Sequence, residues 1–575
     1  MRTSTRIKPL KWTWSGVALL LVLSARVFAA TFTVTTTADS GPGSLRAAIA
    51  SAANGDTINF NLAYPATILL SSPLTLGPSV TITGPGASDL AISGGDLVAV
   101  LIVNAGATAA ISGLTIEHGS SLLGGGIFNA GTLTLTGCVI SNNTVGNQLG
   151  GGILNAGTMS LISSTVSGNS AGTLNEGGRG GGIYNYQGTL TLTNSTVSDN
   201  TALGNNQQSD PDRFGIGGGI ENEGTLTLTN STVSQNTAMG ANGAGLGGGI
   251  DNGSVGEATA ILTLVGSTVS GNQADWGAGG ILASGSVSLL NSTISGNSCG
   301  SADNPSCDIS AAGIYWVGVY PSHLLTMSFT TVSGNSCYGI CSGGIWVDTQ
   351  VTVLSQPPVV KNTILANNSP NETPGNCIIQ GGQFVSGGYN LSDDATCASF
   401  LTQTGDLNST PAGLDPAGLQ NNGGPTQTIG LLPTSPAVNA IPLSACTDAS
   451  GNPVTTDQRG VPRPQGSGCD IGAFEYFHSL YVVPAVQTFL LIDAVQSSTL
   501  PRIVQGVLKL PLQAAVDSLN QGNLRAAAGQ LEAFVILVDL GRLAGALSQQ
   551  EAATWTASAQ QIIQSLQGLI GAGSS

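Results

Sequence analysis

The chain has 575 residues, of which 82 are glycine and only 8% carry charge, and its 31 acidic residues outnumber 15 basic ones for a net charge of -16. Between Ala47 and Gln458 the only basic side chains are Arg179, Arg213 and Lys361. That leaves little to neutralise phosphates or anionic sugars and speaks against nucleic acid as a partner.

Residues 1–30 have the layout of a secretory signal, with Arg2, Arg6, Lys8 and Lys11, the apolar run Val17 to Leu23, and small residues around Val27-Phe28-Ala29. The apolar run is far shorter than the ~20 residues of a spanning helix, so removal near Ala29 or Ala30 is expected. The mature chain then has 10 basic against 31 acidic residues, a net charge of about -21. No later stretch reads as transmembrane.

Thr31 to Thr37 alternates like a strand, and Gly43 to Ile49 reads as a short amphipathic helix with Ser44 as its N-cap, suited to plug the open end of a stack of coils. From Ile127 to Ile345 one unit recurs in three parts. Gly-Gly-Ile comes first, as in Gly151-Gly152-Ile153 and Gly181-Gly182-Ile183; alternating Thr-Leu-Thr-Leu-Thr comes second, as at Thr189 to Thr193; Ser-Thr-Val-Ser-Gly-Asn closes it, as at Ser164 to Asn169. Three short strands per unit, separated by Gly and Asn turns, fit a coil that stacks in register on the next. The predicted fold class is all-β, a right-handed parallel β-helix over residues 31–375, with Ile127, Ile153, Ile183, Ile220, Ile250, Ile281, Ile314 and Ile345 stacked inside.

Columns of polar residues arise from the same register. Asn143, Asn169, Asn200, Asn236, Asn272, Asn297, Asn335 and Asn367 are expected to form a ladder at one corner, their amides bonding each other and accepting left-handed backbone. Asn129, Asn155, Asn185, Asn222 and Asn252 form a shorter column that Ala283, Trp316 and Val347 end. The residue after each core isoleucine is expected to point outward, giving Phe128, Leu154, Tyr184, Glu221, Asp251, Leu282, Tyr315 and Trp346, with Trp276, Trp316 and Tyr320 nearby. Tyr184, Trp276, Tyr315, Trp316, Tyr320 and Trp346 are therefore candidates for a surface that stacks on a carbohydrate or seats a cell-surface protein.

Export makes disulfides plausible for the nine cysteines. Spacing pairs Cys377 with Cys397 and Cys446 with Cys469, and groups Cys299, Cys307, Cys337 and Cys341 into two more bridges, leaving Cys138 as a buried free thiol.

From about Asn376 the repeat fades into a Gly-, Pro- and Cys-rich segment, residues 376–476. It carries Asn421-Asn422-Gly423-Gly424-Pro425-Thr426, Ser435-Pro436-Ala437, Asp457-Gln458-Arg459-Gly460 and Asp470 to Glu475. With Thr36 to Arg46 and the Gly-Gly-Ile repeats, these motifs resemble bacterial right-handed β-helix surface proteins. The tail is similar to the domain called choice-of-anchor Q, and the repeats to those of chlamydial polymorphic outer membrane proteins, whose terminal membrane β-barrel has no counterpart here. The resemblance implies a secreted or surface-attached protein with an adhesive or structural role. Residues 477–575 show apolar spacing of three and four in Arg502 to Leu519, Leu524 to Leu543 and Ser548 to Ile570. A small α-helical bundle is expected, kinked or split at Pro511; it looks similar to FIMAH-type helical domains.

Pectate lyases and polygalacturonases use the same coil stack, so a polysaccharide lyase or hydrolase is the alternative reading. Such enzymes need a calcium-binding carboxylate cluster with a base, or paired carboxylates. The three histidines, His118, His323 and His478, lie far apart. The best catalytic candidates are Asp212 and Arg213, with Asp210, in the long loop after Asn200, facing Glu221, Glu223 and Asp251 on neighbouring coils. Outward carboxylates there could share a proton or hold calcium.

Overall fold

A computed structural model describes residues 29–476 and 482–572, apart from 174–175, 206–213, 241–244, 254–258, 301–309, 339–340, 351–353, 369–374, 382–383, 499 and 521–522. Each repeat unit folds as its period dictates. In Thr189–Thr193, Leu190 and Leu192 are fully buried and the threonines are not; alternation along a pleated strand puts one set in the core and the other outside. The strand pairs in parallel register with Thr158–Ile162 before it and Thr225–Thr229 after it.

Three parallel sheets enclose the interior. One of thirteen strands holds the Thr-Leu-Thr segments, one of twelve the Thr-Val-Ser segments, and one of eleven the Ile-x-Asn segments. The isoleucines stack as predicted, from Ile127 on Ile153 to Ile314 on Ile345, all within one continuous buried cluster. The chain is a parallel β-helix. Its strands extend beyond residue 375, because Cys377–Gln380, Val385–Ser386 and Leu391–Ser392 pair with the preceding coil. At the other end helix α1, Leu45–Ser51, is capped by the Ser44 side chain accepting from Ala47 N–H and sets Leu45 and Ile49 into the core.

A fourth parallel sheet, of eleven strands, adds to the three strands per coil that the repeat pattern predicts. It is built from the chain between each Asn corner and the next Gly-Gly-Ile, for example Thr144–Leu149, Thr201–Gly204 and Gly215–Ile216. The paired glycines make room for it: a Cβ on Gly151 would sit 2.2 Å from the Gly181 carbonyl oxygen and 2.6 Å from Ser170 backbone.

The Asn ladder exists, with one correction. Each side-chain N–H from Asn143 through Asn335 donates to the next Asn Oδ1 at 2.9 Å. The residue after Asn335 in this ladder is Asn368, not Asn367, and Asn376 comes after it. Asn367 is exposed and has φ +56°, as Gly168, Gly271, Gly296 and Gly334 have positive φ one residue before their ladder asparagines. The left-handed geometry therefore belongs to the preceding residue, which Gly or Asn adopts most readily. The second column bonds from Asn129 to Asn252 at 2.7–2.8 Å, and Trp316 Nε1 takes up the role by donating to Gly285 O. A third ladder uses hydroxyls: Ser164, Ser195, Ser231 and Ser267 accept backbone N–H groups from the coil before.

The Asn-to-Asn and hydroxyl-ladder bonds all point toward later coils, so the last coil must supply acceptors. Asp393 and Asp394 accept from Asn376, and Asp406 from Asn390.

Residues beyond the last coil fold back along the outside of the rod as a strap over four successive coils. Thr426 Oγ1 donates to Gly266 O, the Gln458 amide bonds Thr268 and Thr293, Asn291 donates to Thr456 O, Ala473 N–H to Thr331, and Asn362 to Thr447 O. Phe329, Ile364, Ile441 and Ile471 form a separate buried cluster beneath it. Disulfides Cys377–Cys397, Cys446–Cys469 and Cys337–Cys341 are formed. Cys299 is disulfide-bonded as well, Cys307 lies outside the described residues, and Cys138 is free and buried.

Among its described residues the C-terminal segment holds four helices rather than three, α2 (Val482–Gln496), α3 (Arg502–Asn520), α4 (Leu524–Leu543) and α5 (Gln549–Ala572), around their own apolar core. α2 escapes periodicity because Val-Val-Pro-Ala-Val-Gln-Thr-Phe-Leu-Leu-Ile is apolar on every face. Pro511 lies inside an unbroken α3. Among the described residues no helix is long and apolar enough to cross a membrane.

Candidate functional site

The column after the core isoleucines is in register from Phe128 to Trp346, but it does not face solvent. The fourth sheet covers its middle, where Arg179 lies over Tyr184 and bonds Glu221, and Leu154, Tyr184, Glu221, Asp251, Leu282 and Trp346 are all buried. In its middle the column turns from apolar to acidic, Glu221 lying beside Tyr184 and Asp251.

Arg179, in the covering strand Gly178–Arg179, reaches this acidic pair of coils. Its guanidinium bonds both Glu221 and Glu223, and it sits over the Tyr184 ring at 5.0 Å. Burial works against the Arg179 charge, yet Glu221, Tyr184 and Glu223 together raise its pKa. Burial, and after it the Glu221 charge, pushes the Tyr184 hydroxyl well up. Burial also pushes Glu221 well above the carboxylate range; Arg179 opposes the shift, and Asp251 and Glu223 add to it. The result is a largely buried acidic cluster with more carboxyl groups than cations, in which desolvation and like charge favour the protonated form of Glu221. Glu221 Oε2 has no hydrogen-bond partner among the described residues.

Of the catalytic candidates, Asp212 and Arg213 lie outside the described residues, as does Asp210. Glu221 is described but faces Arg179 instead of open solvent. Sequence reasoning missed Arg179, although a lone arginine in a stretch so poor in cations calls for acidic partners, and Glu221 and Glu223 flank the next ladder asparagine. Among the described residues no group of three or more His, Cys, Asp or Glu side chains is arranged to hold a metal ion.

The aromatic candidates separate into two sets. Tyr184 is buried beneath Arg179 of the fourth sheet and Trp346 is buried as well, Trp316 points into the rod, and Tyr315 is half-buried, 5.8 Å from the Trp346 ring. Trp276 is 41% exposed and Tyr320 40% exposed. Trp276 stacks on Phe214 with ring centres 5.7 Å apart and planes 15° from parallel, and Tyr320 meets His323 edge-on.

No family model, curated protein or solved structure matches this chain.

The tail motifs converge on a second charged cluster. Arg459 bonds Asp457, Arg463 bonds Glu475, and Glu475 accepts from Asp470 N–H. The Arg463 guanidinium also lies 4.5 Å from the Phe329 ring of the rod. These groups are nearly inaccessible, so they brace the strap internally, with Arg463 touching the rod at Phe329, and do not form a surface site.

Proposed function

We propose that the chain is an exported, non-enzymatic surface or secreted protein, whose β-helix serves as a stiff spacer and contact surface and whose C-terminal helices serve attachment or assembly. The observation that carries this reading is the burial of the Arg179, Glu221, Glu223 and Asp251 cluster beneath a second layer of chain, away from any polymeric substrate. The disulfides support an oxidising compartment. The likeness of the repeats and tail to polymorphic outer membrane and choice-of-anchor Q proteins belongs to the same reading. Exposed Trp276, stacked on Phe214, and Tyr320 are the contact points we assign for a carbohydrate or a cell-surface protein.

Incubating the mature chain with plant and bacterial polysaccharides, with and without calcium, is the test. No new reducing ends or unsaturated sugars are expected, whereas reproducible cleavage overturns the reading. The polysaccharide-enzyme alternative draws on the raised Glu221 carboxyl, the protonation state of a general acid. It requires that Glu221→Gln abolish any such cleavage. Glycan-array binding that Trp276→Ala removes supports the contact role.

A further inference from the structure

The sheet that holds the Thr-Leu-Thr segments turns one face into the core and the other outward. Its successive strands include Thr108–Ser112, Thr132–Thr136, Thr158–Ile162, Thr189–Thr193, Thr225–Thr229 and Ile261–Val265. Every outward residue along them is Thr or Ser except Ala110, Ile162, Ile261 and Val265, and none of these outward side chains is buried. Pairing is in register throughout, so that Thr134, Ser160, Thr191, Thr227 and Thr263 form one column. Neighbouring strands lie about 4.8 Å apart, and alternate residues along a strand about 6.6 Å apart. Hydroxyls and methyls therefore repeat on a two-dimensional grid, and branching at Cβ limits each threonine to few poses. The strap leaves this stretch open, since its bonds to the rod begin at Gly266.

Two observations set this face apart from an ordinary strand surface. Elsewhere in the rod hydroxyls bond within the protein, as Ser195 does to Leu161 O and as Thr326 does to Ser288 farther along the same face. The threonine hydroxyls of Thr132–Thr136, Thr189–Thr193 and Thr225–Thr229 have no partner among the described residues, and are left to bond what lies outside. In addition, the six strands contain no Asp, Glu, Lys or Arg and no aromatic residue, whereas a solvated protein surface ordinarily carries charge throughout.

A series of near-identical rungs offers a small ligand or a folded partner no unique register. A ligand that itself repeats is matched at every rung, and repetition both along and across the rod matches a crystal face better than a single polymer chain. An ionic mineral calls for carboxylates, and a crystalline polysaccharide for aromatic rings to stack on; the face supplies neither. Ice is an uncharged solid whose oxygen atoms lie in rows at spacings similar to this grid. Each threonine hydroxyl can both donate to such an oxygen and accept from it, while the methyl groups beside it order the neighbouring water.

We infer that the outward threonine face between Thr108 and Val265 binds ice. This site is distinct from the Trp276 and Tyr320 contact points, and stands whether or not the rod touches or cleaves a glycan.

The test is ice affinity of the full mature chain: ice is grown slowly through a dilute solution and the protein in solid and liquid is quantified, with serum albumin as control. The wild type is expected to be enriched in the ice and to arrest recrystallisation of fine ice grains. Thr191→Tyr, bulky but neutral, and Thr227→Lys should each lower uptake to the albumin level. Both side chains point outward on strands, so circular dichroism and melting temperature should not change. Thr75→Lys, exposed on the sheet of Ile-x-Asn segments, should be taken up like the wild type. Exclusion of the wild type from ice overturns the proposal. So does uptake that survives both substitutions or that falls equally in Thr75→Lys, and so does adsorption to crystalline cellulose without uptake into ice.

Discussion

The coil stack and the strap laid along it solve the same problem in different ways. Both bury polar groups, but apart from the Arg179, Glu221, Glu223 and Asp251 cluster the coils do so with neutral amides and hydroxyls, while the strap uses Arg459, Arg463, Asp457, Asp470 and Glu475. In the coils each buried donor of the ladders finds an acceptor on a neighbouring turn, because that coil repeats the same residue. The strap has no such neighbour, so each of its polar groups needs an individually placed partner, and charge-assisted bonds give the strongest fixing per contact. Repetition therefore permits a nearly uncharged interior, and its absence has to be offset by ion pairs.

Removing one partner from each region sharpens the contrast. The largest effect is expected for Arg463→Ala, which strands Glu475 as an unpaired buried carboxylate and should cost ~3–5 kcal/mol in urea unfolding. Asn236→Ala in mid-ladder leaves the backbone N–H of Asn200 and one of its two side-chain N–H groups without an acceptor. A loss of ~2–4 kcal/mol is expected, whereas Asn367→Ala should cost only about 1 kcal/mol, for its left-handed backbone. At the end of the hydroxyl ladder, which runs through Thr363 to Asn390, Asp406→Ala removes the acceptor of the Asn390 backbone N–H and one acceptor of its side chain. It should cost about 1 kcal/mol, read as faster hydrogen exchange in the last coil alone. If Asn236→Ala proves as mild as Asn367→Ala, the ladder is decoration and the comparison fails.

The smallest effect is the strap's own share of the pH dependence, which adds to that of Glu221 in the coils. Burial and the Glu475 charge push the Asp470 carboxyl up to about 7, so the folded state holds a proton that the unfolded chain releases near pH ~4. Stability from this group is greatest in acid and falls as pH climbs from ~4 to 7. Melting temperatures across that range should decline in the wild type and be flatter in Asp470→Asn.

The coils were legible because their period repeats: Ile, Leu and Val columns and the asparagines named their own neighbours. The fourth sheet was not, since its strands vary in sequence and only the paired glycines betray it, as places where a second chain comes within contact of the first. That omission reversed the surroundings of Tyr184 and Glu221, whose side chains were predicted outward and lie covered. Asn367 misled because Asn367-Asn368 offers two asparagines where earlier coils have mostly one, and only backbone conformation distinguishes turn from ladder. α2 was hidden by an excess of apolar residues, the strap by contacts up to 191 residues away in the chain.

The strap also decides how tension enters the shaft. Drawn from beyond Tyr476, a bare solenoid would unzip one turn at a time from its last coil. Here the pull reaches the rod near Gly266, Asn291, Phe329 and Asn362 together, so these attachments must shear in parallel before any turn peels away, and the structure resists most where a tether would act.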